Sequence, residues 1–115
     1  MEVFNRTGAL ERLGGDVERL EDLLEDFQMK LPALMKALAR SAEHKRPERL
    51  TKLAEALRSS SRAVGAEGME GLASQILEAT EASEFDQVET LITHMSMELE
   101  WLTRVLDENR CSGNL

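Results

Sequence analysis

The chain has 115 residues, of which 42% are hydrophobic and 31% charged, so it is long enough to form one domain around a single core. Its net charge of −8 argues against nucleic-acid binding, because a phosphate backbone requires a concentrated basic surface. No apolar stretch is long enough for a signal peptide or a membrane span, and we therefore expect a cytoplasmic protein with no membrane partner.

Two helices are predicted in the first part of the chain. Asn5 suits the N-cap of a short helix over about 5–13, which the pair Gly14-Gly15 ends. Asp16 caps a second helix, to about 39–41, in which Pro32 predicts a kink and not a break. Its core stripe repeats at spacings of three and four and comprises Val17, Leu20, Leu24, Phe27, Leu31, Leu34 and Leu38.

Three further helices are predicted after a polar loop. Pro47 suits the first turn of a third helix, whose core stripe is Leu50, Leu53, Leu57, Ser60 or Ser61, and Val64. A turn over 65–68 leads to a fourth helix, which buries Met69, Leu72, Ile76 and Leu77. A break near Ser83 precedes a fifth helix, opened by Phe85, and residues 109–115 form a polar tail. The fifth helix buries Val88, Ile92, Met95, Leu99, Leu102 and Leu106.

Long amphipathic helices joined by short turns bury their apolar stripes against one another, and the short turns make neighbours antiparallel. No segment alternates apolar and polar residues at a period of two, so no strand is predicted. We therefore predict an all-α fold in a single domain, 1–115. Its core is an up-down-up-down antiparallel four-helix bundle over about 16–108, preceded by the short N-terminal helix.

No set of catalytic or metal-binding residues stands out. His44 and His94 are far apart in the sequence and Cys111 lies in the tail, so we expect no metal and no cofactor. No nucleophile and base pair, P-loop or dinucleotide fingerprint is present, and we expect no enzymatic activity. Trp101 is expected at the edge of the core, although a solvent-exposed tryptophan would mark an interface.

The segment from Leu53 to Ala66 resembles the active segment of a histidine-phosphotransfer (HPt) domain. That family has the pattern Ala-His-x-Leu-Lys-Gly-Ser, then small or apolar residues and Gly-Ala. The corresponding residues here are Ala54-Glu55-Ala56-Leu57-Arg58-Ser59-Ser60, followed by Gly65-Ala66. Glutamate therefore stands at the phosphohistidine position, arginine replaces lysine and serine replaces glycine. The resemblance covers about 5–108, because 10–16 and 31–34 are similar to the family's entry and second helix.

Glu55 and its neighbours on the third helix are the candidate site. Glu55 is about 160° around the helix from Leu57 and faces solvent. On the residues alone this is a solvated face, on which Glu55 pairs with Lys52 and Arg58. The resemblance implies more: Glu55 is the phosphoacceptor-equivalent position, and receiver docking uses Lys52, Arg58, Ser59 and Arg62. Small side chains admit a partner surface, and cations stabilise phosphoryl charge.

The resemblance implies a non-catalytic HPt-like protein of two-component phosphorelay signalling. It would bind, as a monomer, a response-regulator receiver domain or a hybrid sensor kinase without accepting phosphate, since a carboxylate forms no phosphoramidate. One alternative is a true phosphotransfer protein whose natural residue 55 is histidine, replaced here by glutamate. A second alternative is a helical bundle for self-association or scaffolding through Trp101. All three remain open at the level of the sequence.

Overall fold

The computed structural model describes residues 4–111, with side chains over 4–107. Within this range the chain forms five α-helices and no strand: α1 (Arg6–Arg12), α2 (Val17–Glu43), α3 (Pro47–Val64), α4 (Glu67–Glu81) and α5 (Phe85–Cys111). The all-α class and the order of the helices are therefore confirmed. The predicted tail begins too early, because α5 extends to residue 111, and 112–115 lie outside the described residues.

Polar side chains begin the first two helices at the predicted positions. The Asn5 carboxamide oxygen accepts a hydrogen bond from the backbone N–H of Gly8, at 3.0 Å. The Asp16 carboxylate accepts one from the N–H of Arg19, at 3.1 Å. Each of these bonds satisfies an amide that the first helical turn leaves without an intrahelical partner. α3 begins instead with a proline in its first turn, as predicted.

The first four helices end in the same kind of backbone turn. Two backbone N–H groups bond back to carbonyls of the last helical turn, and one residue adopts a left-handed conformation, which together form a Schellman motif. Gly14 (φ 68°) and Gly65 (φ 79°) are the left-handed residues after α1 and α3. Lys45 (φ 52°) and Ser83 (φ 57°) have this role after α2 and α4. The latter two were not predicted, because neither residue type signals a left-handed turn.

The core draws on all five helices, and most predicted core residues are buried. Val17 is a wrong prediction, since it is 38% exposed in the first turn of α2, where its N-terminally directed side chain has no earlier turn to cover. Of the two serines predicted for the core stripe of α3, Ser61 is buried and Ser60 is exposed. Several predicted leucines are only partly buried and pack against the core: Leu34, Leu53, Leu72, Leu77 and Leu99. Buried residues that were not predicted include Met35, Ala54, Ala73, Ala79 and Leu91.

The long helices contact one another in a closed circuit. α2 packs against α3 and α5, and α4 packs against the same two helices, while α1 packs against α2 and α3. α2 continues through Pro32 as one helix, as predicted. None of the helices, over the residues described, combines the length and apolar character needed to cross a membrane.

Candidate functional site

The buried residues of α3 determine which of its side chains face solvent. Leu50, Ala54, Leu57 and Ser61 recur at spacings of four and three and are fully or almost fully buried. Residues on the other side of the helix are therefore left to solvent. All five predicted site residues are exposed there: Lys52, Glu55, Arg58, Ser59 and Arg62. Four of them share one stripe at spacings of three and four, with Arg58 beside it.

Glu55 has no side-chain partner among the residues that the structure describes. The ion pair found among the described residues joins Lys30 Nζ and Asp26 Oδ2 on α2, at 3.0 Å. Among the described residues Glu55 forms no ion pair with Lys52 or Arg58, although the spacing of three residues would allow one. An exposed pair at this spacing would contribute only about 0.2–0.5 kcal/mol, so its absence costs the helix little. The carboxylate is therefore available to an approaching partner.

Small side chains surround Glu55 on the exposed side of α3. Ala56, Ser59, Ser60 and Ala63 are all exposed, so little side-chain volume covers the helix backbone between the charged residues. A flat, weakly hindered helix face lets a second surface approach the backbone closely. Together with three exposed cations, the face offers an accessible carboxylate in a locally positive setting.

The N-terminal segment, from Asn5 to Arg12, is bound to the turn between α3 and α4 and to the end of α3. The backbone N–H of Asn5 donates to the Gly65 carbonyl at 2.6 Å, and the Asn5 side chain donates to Glu67 Oε1 at 2.8 Å. The Arg12 guanidinium donates to the Arg62 carbonyl, also at 2.6 Å. These bonds fix the C-terminal end of α3. The sequence carried no signal for them, since the partners lie 50 to 62 residues apart.

The Gly65-Ala66 pair, which contributes to the resemblance, has a structural reason here. Gly65 is left-handed, and a Cβ on it would run into the Asn5 carbonyl oxygen and lie 3.0 Å from its carbon. Ala66 is completely buried. The turn therefore requires a residue without a side chain followed by a small one, because the N-terminal segment crosses directly over it.

A buried hydroxyl lies on the core side of α3. Ser61 is 0% exposed, and its Oγ has no hydrogen-bond partner within the described structure. Two other buried hydroxyls differ: Ser41 Oγ donates to the Ala37 carbonyl at 2.8 Å, and Thr80 Oγ1 donates to the Ile76 carbonyl at 2.7 Å. Ser61 therefore carries a desolvation cost without a compensating bond.

The remaining candidate residues are dispersed. His44 is exposed directly after α2 and His94 is exposed on α5, while the side chain of Cys111 lies outside the described set. The described residues contain no group of three potential metal ligands. Trp101 is 51% exposed and Met97 is 64% exposed, so the expectation that Trp101 sits at the core edge is wrong.

Comparison with protein-family models, curated proteins and solved structures gave no match. The HPt resemblance therefore rests on the sequence pattern alone and remains a prediction. Chemically, the exposed stripe offers a carboxylate, cations and small residues. These groups suit binding to a charged protein surface. A carboxylate has no nitrogen, so Glu55 cannot hold a phosphoryl group as a phosphoramidate.

Proposed function

We propose that α2 to α5 form an up-down-up-down antiparallel four-helix bundle, with α1 as a short helix packed against it. Two observations support this topology. The four helices contact one another in a closed circuit, and the turns between them contain only two or three residues. Turns of this length favour antiparallel neighbours.

On this scaffold we propose a non-catalytic HPt-like function in two-component signalling. The chain would bind a receiver domain, or the hybrid kinase that feeds it, in the cytoplasm and as a monomer, without taking up phosphate. The observation that carries the proposal is Glu55 itself, an exposed carboxylate with no ion-pair partner among the described residues. It lies on the small-residue face where the HPt pattern has its histidine. Binding without transfer would block the receiver from its true phosphate donor.

The resemblance also implies how a carboxylate would act at this position. A receiver's phosphoacceptor pocket is acidic and holds a magnesium ion. Without the metal, Glu55 would bring like charges together, whereas with the metal it gains an attractive partner. Phosphorylation of the receiver adds negative charge to the same place, so the complex would favour the unphosphorylated receiver.

Calorimetric titration with an unphosphorylated receiver domain, with and without Mg²⁺, tests this proposal. Mg²⁺ should tighten binding by the native chain and have little effect on Glu55→Gln, which keeps the shape and removes the charge. Glu48→Gln is the matched control, because Glu48 is exposed on the same stripe two turns earlier. An equal magnesium effect in the native chain and Glu55→Gln would place Glu55 away from the pocket. Failure to bind either a receiver domain or a hybrid kinase would refute the function.

A labelling experiment separates this proposal from a true phosphotransfer protein. Incubation with a phosphorylated receiver should leave no acid-labile label on the native chain. Glu55→His should accept phosphate at least slowly, because the small and cationic neighbours are already in place. Label mapped to His44 or His94 in the native chain would contradict the assignment of the site.

One observation favours self-association as a second candidate function. Met97 and Trp101 lie four residues apart on α5 and are both largely exposed, and tryptophan is enriched at interaction hot spots. Sedimentation of the native chain and of Met97→Glu would decide between the two. A dimer that dissociates in Met97→Glu would support this candidate, whereas two monomers would exclude it.

A further inference from the structure

The positive charge of this acidic chain is concentrated in one region. Residues 36–62 hold eight of the 14 lysines and arginines but only three of the 22 acidic residues. This region therefore has a formal charge of +5, while the rest of the chain has −13. All eight cationic side chains are exposed, and none forms an ion pair with another described residue.

Half of these cations gather at the turn between α2 and α3. Lys45, Arg46, Arg49 and Lys52 line an open hollow of about 540 Å³, together with Glu48 and a proline. We call these four cations the basic turn. In a chain of net charge −8, unpaired cations repel one another and contribute little to folding. Their concentration is better explained by a negatively charged binding partner.

The acids beside the basic turn limit what this partner is. Glu48 lies within the hollow, and the turn between α4 and α5 adjoins it, with Lys45 lining a second hollow beside Glu84 and Asp86. Glu81 and Lys52 both line a third hollow. A nucleic acid or an anionic membrane presents negative charge alone and would meet these carboxylates. A protein surface can place carboxylates against the cations and its own cations against the acids.

A second copy of the chain is a poorer fit than a different protein. A second copy would bring a further net charge of −8 toward a chain of the same charge, so long-range repulsion opposes this contact. We infer that the basic turn is a docking surface for an acidic segment of a partner protein. This inference shares Lys52 with the proposed receiver-docking residues, but it goes beyond that function because it rests on Lys45, Arg46 and Arg49 as well and does not depend on Glu55.

The test is an NMR titration of the full chain at low salt with a peptide of ten glutamates followed by three lysines, which presents carboxylates to the cations and ammonium groups to the adjoining acids. The amides around Lys45 to Lys52 should shift, and the affinity should fall as salt is added. The variant Arg46→Glu/Arg49→Glu should weaken binding by about tenfold or more, because each reversal replaces an attraction with a repulsion. Arg19→Glu/Arg104→Glu is the matched control, since it makes the same change in net charge at exposed arginines elsewhere. It should weaken binding by less than about threefold.

Three results would overturn the inference. Equal losses of peptide affinity in the two double variants would mean that the affinity depends only on the net charge of the chain. Tighter binding of a uridine decamer, or of vesicles containing anionic lipid, would identify a different class of partner. Shifts outside the basic turn, or none at all, would show that the hollow binds no acidic segment. Unchanged circular dichroism and melting of both variants would show that they are folded.

Discussion

The contact between Gly65 and the N-terminal segment yields the sharpest stability prediction. Gly65→Ala places a methyl group on a left-handed residue, which costs about 1–2 kcal/mol in backbone energy. The same methyl meets the Asn5 carbonyl and lies 3.1 Å from Ala9 Cβ, so the segment must shift at a further cost of about 1–3 kcal/mol. We expect a total loss of about 2–5 kcal/mol, a large part of the stability of a typical domain.

Gly14→Ala is the control that measures the backbone cost of a left-handed alanine without any contact to the N-terminal segment. Gly14 is also left-handed (φ 68°), but a Cβ there would have no neighbour within 4 Å. Urea denaturation followed by circular dichroism should give a loss of about 1–2 kcal/mol for Gly14→Ala, and a loss larger by about 1–3 kcal/mol for Gly65→Ala. Equal losses, with equal denaturant slopes, would refute the reasoning that the N-terminal segment crosses tightly over the turn.

Three further predictions concern stability. Ser61→Ala should be neutral or stabilise the chain by up to about 1 kcal/mol, because Ser61 Oγ has no partner in the described structure. Ser41→Ala removes a buried hydrogen bond and should be less favourable by about 1 kcal/mol. Equal effects of the two variants in urea denaturation would contradict the unpaired state of Ser61 Oγ. Ser83→Gly should stabilise the chain by about 0.5–1 kcal/mol by relieving a left-handed serine, and a lower melting temperature would argue against it. Leu57→Ala should cost about 2–5 kcal/mol and Glu55→Ala less than about 0.5 kcal/mol, since the first is fully buried and the second exposed. If Glu55→Ala unfolds the chain, Glu55 is structural and the site proposal loses its basis.

Helix number, order and caps were predictable because they depend on local chemistry. Asn5, Asp16 and Pro47 begin helices for reasons contained within one turn of sequence. The exposure of Glu55 was predictable for a similar reason, since it follows from the period of the buried residues in α3. The left-handed conformations of Lys45 and Ser83 were not predictable, because the Schellman bonds impose that conformation on whichever residue occupies the position.

Core positions were predicted less well where small residues are buried. A stripe drawn from large apolar side chains selected Leu53 and Leu72, which are only partly buried, over Ala54 and Ala73, which are completely buried. Alanine allows a neighbouring helix to come close, and the leucines then lie on the flanks of the contact. This preference depends on the packing of one helix against another, which periodicity in a single helix does not report.

The binding of the N-terminal segment to the α3–α4 turn also affects when this part of the fold forms during synthesis. Asn5 and its partner Glu67 are 62 residues apart, a stretch that takes about 3–12 s to translate at 5–20 residues per second. α1, with only seven residues, is too short to be stable alone in water, so it must wait for that turn before it can persist. α1 is therefore secured only after α2 and α3 have been made, and the end of α3 is completed by residues that left the ribosome seconds before it.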